Sequence, residues 1–80
     1  MKLNLISSTS SRTMDINWLE VQTLEGNFTV KPGHAPTIII LAPNKEISIG
    51  LQDNSTTIMT ISGGILEINR NSVTILLTHE

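Results

Sequence analysis

Few side chains in this chain are of a type that does chemistry, and their spacing keeps them apart. His34 and His79 are the only soft ligand candidates and there is no cysteine. A zinc site needs about four such ligands in defined clusters, so a metal centre is not expected. Ser62-Gly63-Gly64 has the small residues of a nucleophile turn or phosphate cradle. It lacks both the Gly-Lys-Ser/Thr end of a P-loop and the flanking pattern of a hydrolase elbow. A glycine pair entering a strand reads instead as a corner between sheets. Glu20 and Glu25 fall on a strand and a turn with nothing to aim them at one substrate, and Asp53 sits in a turn where it would accept backbone hydrogen bonds. His34 follows Gly33 in a bend and would be a base only if the fold brought it a carboxylate or nucleophile; a hydrogen-bonded turn or interface histidine is the plainer reading. No catalytic residue and no cofactor is expected.

Bulk composition narrows the classes further. Eighty residues make one domain, taken as 1–80. A chain this short buries only roughly 60% of its unfolded surface, so a partner is a natural source of added stability. The formal net charge is −2, and Lys2, Arg12, Lys31, Lys45 and Arg70 are scattered. That gives no footing for nucleic acid, and Trp18 and Phe28 alone make no base-stacking platform. No run reaches the ~18 apolar residues that span a bilayer. Met1 to Ile6 alternates and is not a secretory signal. The absence of cysteine excludes a disulfide framework and fits a reducing compartment. The Asn-x-Thr sequons at Asn27 and Asn54 read as loop chemistry.

The dominant period is two, in Ile, Leu, Val and Thr that suit a pleated surface. Leu3 and Leu5, then Ile47, Ile49 and Leu51, then Val73, Ile75 and Leu77 form alternating sets, and between the last two Ile65 and Leu66 open a run with Glu67 outward and Ile68 inward. Met59 falls out of phase between Ile58 and Ile61, which suggests a bulge or a strand buried on both faces. Met14, Trp18 and Val21 approach helical spacing, but Ile16/Trp18 and Leu19/Val21 also fit two strand faces with a slip between them; a bulged strand is preferred. Bends are expected at Lys31-Pro32-Gly33, Pro43-Asn44, Asp53-Asn54 and Asn69-Arg70-Asn71. Turns about every ten residues are the rhythm of a sandwich or barrel. The expected fold is all-β, a small two-sheet β-sandwich of about eight to ten strands. The run Thr37-Ile38-Ile39-Ile40-Leu41 would put large side chains on both faces of one strand. Either a loop covers its second face, or that face is an apolar patch open to a protein partner.

Glu25-Gly26-Asn27-Phe28-Thr29-Val30-Lys31-Pro32-Gly33-His34-Ala35-Pro36 closely resembles the signature of the epsilon-subunit family of F-type ATP synthases. Ile61-Ser62-Gly63-Gly64-Ile65-Leu66-Glu67-Ile68, followed by Asn71-Ser72-Val73-Thr74-Ile75-Leu76, is similar to the closing part of the same domain. Pro32, Gly33, Ala35 and Pro36 together with Gly63 and Gly64 would be its structural turns. The resemblance implies a non-catalytic rotor subunit at the foot of the central stalk, between the gamma subunit and the c subunits of the membrane ring. There it would help couple ion flow to ATP synthesis, peripheral to the cytoplasmic face of the bacterial inner membrane. By position, Ser7, His34 and Ile39 would lie near gamma, and Asn27 with Phe28 near the ring loops.

Thr29 stands where the family commonly has glycine, Asn44 replaces a turn glycine, and Asn27 is uncharged where relatives are often acidic. Many relatives continue into a two-helix C-terminal domain, whereas this sequence reaches only Thr78-His79-Glu80. The hydrolysis brake and nucleotide binding of those helices are therefore not expected. These departures motivate an alternative, a free-standing adaptor or ligand-binding sandwich that has left the stalk role.

Overall fold

Period-two alternation is realised as eight strands: β1 (Lys2–Ile6), β2 (Ser11–Thr23), β3 (Gly26–Val30), β4 (Thr37–Leu41), β5 (Lys45–Leu51), β6 (Thr56–Ile61), β7 (Gly64–Ile68) and β8 (Ser72–Leu77). They are seen in a computed structural model that describes residues 1–78; His79 lies outside the described residues. The hydrogen-bonded order is β1-β8-β7-β4-β2-β5-β6, with β3 also on β2 and a further pairing of β1 with β2. All pairs are antiparallel except β1 with β8, whose register runs from Lys2↔Ser72 to Ile6↔Leu76.

The long strand β2 serves both layers. Ser11 to Asp15 pairs with β1. Leu19 to Thr23 pairs with β3, while Ile16 to Glu20 pairs with β5 through a register shift between Ile16 and Trp18. This is the expected bulged strand. One extra residue bends and twists the strand, here at Asn17, whose Nδ2 donates to the Leu51 carbonyl at 3.1 Å. One layer is then β4-β7-β8-β1 and the other β3-β2-β5-β6, joined where β2 passes between them.

Between the layers lies an all-apolar core. Leu3, Leu66, Ile68, Val73 and Ile75 come from the first layer and Leu19, Val21, Val30, Ile47, Ile49 and Ile61 from the second, each almost wholly buried. No polar or charged residue among those described is buried. Each such side chain contributes about 1.5–3 kcal/mol against leaving it in water.

Local chemistry sets the corners as expected. Gly33 takes φ +86° and Asn44 and Asn54 take φ 55° and 69°, the left-handed region that asparagine tolerates best after glycine. The Gly33 N–H donates to Arg70 O at 2.9 Å, which ties the Pro32-Gly33 bend to the β7–β8 hairpin. Asp53 accepts from the Ser55 N–H at 2.9 Å, and the hairpin at Asn69–Asn71 closes with Asn69 N–H to Ser72 O at 2.8 Å. At the double-glycine corner, Gly63 has φ +146° and a Cβ on Gly64 would stand 2.5 Å from the Leu76 carbonyl oxygen. The Ser62 hydroxyl donates to the Thr78 carbonyl across the same corner. A second close approach is Gly50, directly opposite Trp18; a Cβ there would lie 2.1 Å from the indole Nε1. The indole thus lies over a glycine on the neighbouring strand and covers its backbone.

One expectation is corrected. The out-of-phase Met59 marks neither a bulge nor a strand buried on both faces. β6 pairs with β5 without a slip from Lys45↔Ile61 to Gly50↔Thr56. Met59 and Ile61 face inward and Ile58 is 59% exposed. As an edge strand paired on one side only, β6 has a wet outer face that simply carries an isoleucine.

Two outcomes follow from these corners. Gly64→Ala should cost about 1–3 kcal/mol, because the obstructing atom is backbone and cannot rotate away; a lowered urea midpoint at unchanged m-value is the readout. Asp53 is held below the usual aspartate pKa of 3.8, first by the Ser55 hydroxyl and then by the Ser55 N–H. A carboxylate whose folded pKa is lowered stabilises above its unfolded pKa and loses that contribution as pH falls through the folded value. The Tm difference between the wild type and Asp53→Asn should therefore be present near neutrality and close as pH falls below about 3.8; a gap that persists in acid would contradict the hydrogen-bond origin.

Candidate docking surface

The residues singled out in the sequence do not converge on one site. Ser7 lies in the β1–β2 turn, half-buried, where its Oγ accepts from the Ser10 N–H at 3.1 Å and the Thr9 N–H at 3.4 Å. It borders a groove shared with Arg12, Met59 and Leu77. His34 is half-buried in the bend after Gly33. Its Nδ1 donates to the Ala35 carbonyl at 2.7 Å, and its ring meets Phe28 edge to face, centroids 5.5 Å apart at 63°. Such a pair adds ~0.5–1.5 kcal/mol beyond area burial. It pins the β3 strand to the Pro32–Pro36 bend, so the histidine is occupied with structure. Among the described residues no three His, Asp or Glu side chains come together in a way that would hold a metal ion.

Asn27 is exposed on β3, one residue from Phe28. Phe28 and Ile39 line an open groove of ≈ 500 Å³ with Leu24, Glu25, Ile38 and Ile40. The groove therefore joins one residue of the expected ring-loop pair to one of the expected gamma set. Pro32, Ala35 and Pro36 are exposed around the bend, whereas Gly63 and Gly64 are buried at their corner. Thr29, at the position commonly glycine, is an exposed strand residue paired with Glu20, with no positive φ to strain it.

Alternation resolves the isoleucine run. Ile39 is half-buried and packs against the core, while Ile38 and Ile40 are 70% and 67% exposed. No loop covers them. Register then shows what the linear sequence conceals. Ile40 stands opposite Ile65, Ile65 opposite Leu76 and Leu76 opposite Ile6. Exposures of 67%, 42%, 47% and 37% make these four a continuous aliphatic row across β4, β7, β8 and β1. The next row, Ile38, Glu67, Thr74 and Asn4, is polar after its first member, with Asn4 bonded to Thr74 and Thr13. The apolar band thus occupies one margin of the outer face. A legible signal existed: Ile6, Ile65 and Leu76 are each the one large apolar residue out of phase with the inward set of its strand.

Residues 1–79 match the family described as ATP synthase, Delta/Epsilon chain, beta-sandwich domain. The chain is 42% identical over 52 residues to the ATP synthase epsilon chain of Paracoccus denitrificans, which is 65% of this chain and 34% of that one. It is 38% identical over 63 residues to the epsilon chain of Bacillus licheniformis, covering 78% and 46% respectively. The match therefore spans about a third to a half of these relatives' length. A chain in the cryo-EM structure of the Euglena gracilis mitochondrial ATP synthase, OSCP/F1/c-ring in rotational state 1, superposes with a TM-score of 0.86 at 24% identity, over 94% of this chain and 48% of that one. One in the Tetrahymena thermophila mitochondrial ATP synthase central stalk and c-ring gives 0.83 at 15% identity, over 98% and 63%. At those identities the likeness is one of fold. With the family match over nearly its whole length, this chain belongs to the delta/epsilon β-sandwich family of ATP synthase.

Proposed function

We propose that this domain is a central-stalk component of an F-type ATP synthase that carries no catalytic group of its own. It docks on the gamma subunit through the outer face of the β4-β7-β8-β1 layer and on the c-ring loops through the β2–β3 hairpin, and so helps couple ion flow to ATP synthesis. Its place is peripheral, at the cytoplasmic face of the bacterial inner membrane. The observation that carries this reading is the Ile40–Ile65–Leu76–Ile6 row. A contiguous apolar band costs solvation while it faces water and is the usual mark of a protein interface.

Torque passes through such an interface by packing and shape, with no bond made or broken. A standard interface buries about 800 Å² per partner, so the row would be its centre, with Ile38 and the polar row as its rim. Ser7 and His34 lie in turns, where they would make peripheral contacts. Asn27, exposed at the hairpin, offers the ring loops a neutral hydrogen-bonding group in place of a charge.

Copurification with the cognate gamma subunit tests the reading; no binding at micromolar concentration would count against it. Ile65→Thr combined with Leu76→Thr puts a β-branched strand former at both positions while removing apolar area. The pair should weaken gamma binding more than tenfold, about 1.4 kcal/mol, with little change in the urea midpoint. Wild-type affinity in a folded double variant would remove the row from the interface.

A further inference from the structure

The β4 strand has an edge as well as an outer face, and that edge is paired only at its Leu41 end. On one side β4 is fully laddered to β7, from Thr37↔Ile68 to Leu41↔Gly64. On the other it meets β2 only at Thr23↔Leu41, because the chain turns away at Leu24. The turn satisfies itself: the Thr23 hydroxyl donates to Gly26 O at 2.9 Å and accepts from the Glu25 N–H at 3.1 Å. Backbone direction alternates along a strand, so residues two apart point the same way. The Ala42 N–H donates to Gln22 O at 2.9 Å on the β2 side. Ile40 and Ile38 share that parity, whereas Thr37, Ile39 and Leu41 bond toward β7. The Ile38 N–H and C=O thus face the groove bounded by Leu24, Glu25 and Phe28, with no hydrogen-bond partner among the described residues.

We infer that this edge receives one more strand, an extended segment of the gamma subunit that continues the sheet where β2 stops. The identity of the partner rests on the stalk reading above; the mode of contact rests on the edge. A strand is the occupant that supplies a donor and an acceptor at the spacing of Ile38, and main-chain pairing at an exposed sheet edge is a general way to bind an extended peptide. The walls specify its side chains. Alternate residues would face Phe28 and Ile39 on the groove side and Ile38 and Ile40 on the outer side, so both sets should be apolar. Glu25, exposed at the rim, favours a lysine or arginine where the segment passes it. The outer side of the added strand would lie directly beside the Ile40–Ile65–Leu76–Ile6 row, which makes the edge and the row one continuous surface. β3 and β6 also have free edges, but the groove beside β4 has both aromatic and aliphatic walls. An apolar edge with no charge or proline between Thr37 and Ile40 is the kind that proteins otherwise guard against unwanted pairing.

Residue-resolved hydrogen–deuterium exchange on the chain, free and bound to the gamma-containing catalytic complex, tests this without altering the protein. The Ile38 amide should exchange freely in isolation and gain at least tenfold protection in the complex, while the Ile39 amide is protected in both. Ile38→Pro deletes that one edge donor without touching the ladder to β7, and should lower affinity at least tenfold, whereas Ile38→Thr, which keeps the N–H, should lose less. Should the proline variant fail to fold, the exchange result stands alone. Binding of gamma with unchanged exchange at Ile38 overturns the added strand and leaves the stalk reading intact. Absence of gamma binding overturns both.

Discussion

Ser11 to Asp15 pairs with β1 in one layer, and four residues after Asp15 the same strand, at Leu19 and Glu20, lies between β3 and β5 in the other. A single strand held in both layers fixes how the sheet folds over itself, and the bulge at Asn17 is what lets it pass. Because no polar or charged side chain among the described residues is buried to set the register, alignment depends on backbone ladders and on which face each side chain takes. A slip of one residue would send a strand's inward set to solvent. The parallel pairing of β1 with β8 closes the arrangement and brings Ile6, from the first strand, beside Leu76, from the last.

A cost accompanies this closure. β4, β7, β8 and β1 each carry a large aliphatic residue on the face that the core does not use. A domain of this size has little stability to spare, and neither the row nor the free edge of β4 adds to it in water. Both become favourable when covered. On the proposed stalk reading the exposed surface is half of an interface, and the fold is a scaffold that holds that half in register. His34 is engaged with Ala35 and Phe28, and Asp15 with Lys2 at 2.9 Å on an exposed surface, where an ion pair contributes little.

Local features were legible in the sequence because they are decided locally. Gly33 and Asn44 mark positive φ, Pro32-Gly33, Asp53-Asn54 and Asn69–Asn71 mark reversals, and the slip between the Ile16/Trp18 and Leu19/Val21 faces marks a bulged strand, whose shift falls earlier, between Ile16 and Trp18. The double-glycine corner was readable for its tight turn, although the reason Gly64 must lack a Cβ is a carbonyl on β8 that only the fold brings near. What was not legible depends on pairings between distant segments. Composition showed that Ile38–Ile40 would use both faces of a strand, yet gave no means to decide that Ile39 turns inward. The aliphatic row needs three registers at once, one of them parallel, and no single strand contains more than one of its members. Ile58 misled because an apolar residue on an outer edge looks, in sequence, like one in a core. Gly50 beneath Trp18 is likewise invisible until β2 and β5 are aligned.

An interface on the outer face of the β4-β7-β8-β1 layer requires that face to be covered in the assembled enzyme. The chain has no cysteine, so Ile65→Cys gives a unique probe at the middle of the row, and Glu46→Cys gives an exposed control in the other layer. Maleimide labelling should be equally fast at both positions in the free chain. In the assembled ATP synthase the rate at position 65 should fall by at least tenfold while position 46 stays reactive; equal, unslowed labelling at both positions would contradict the account.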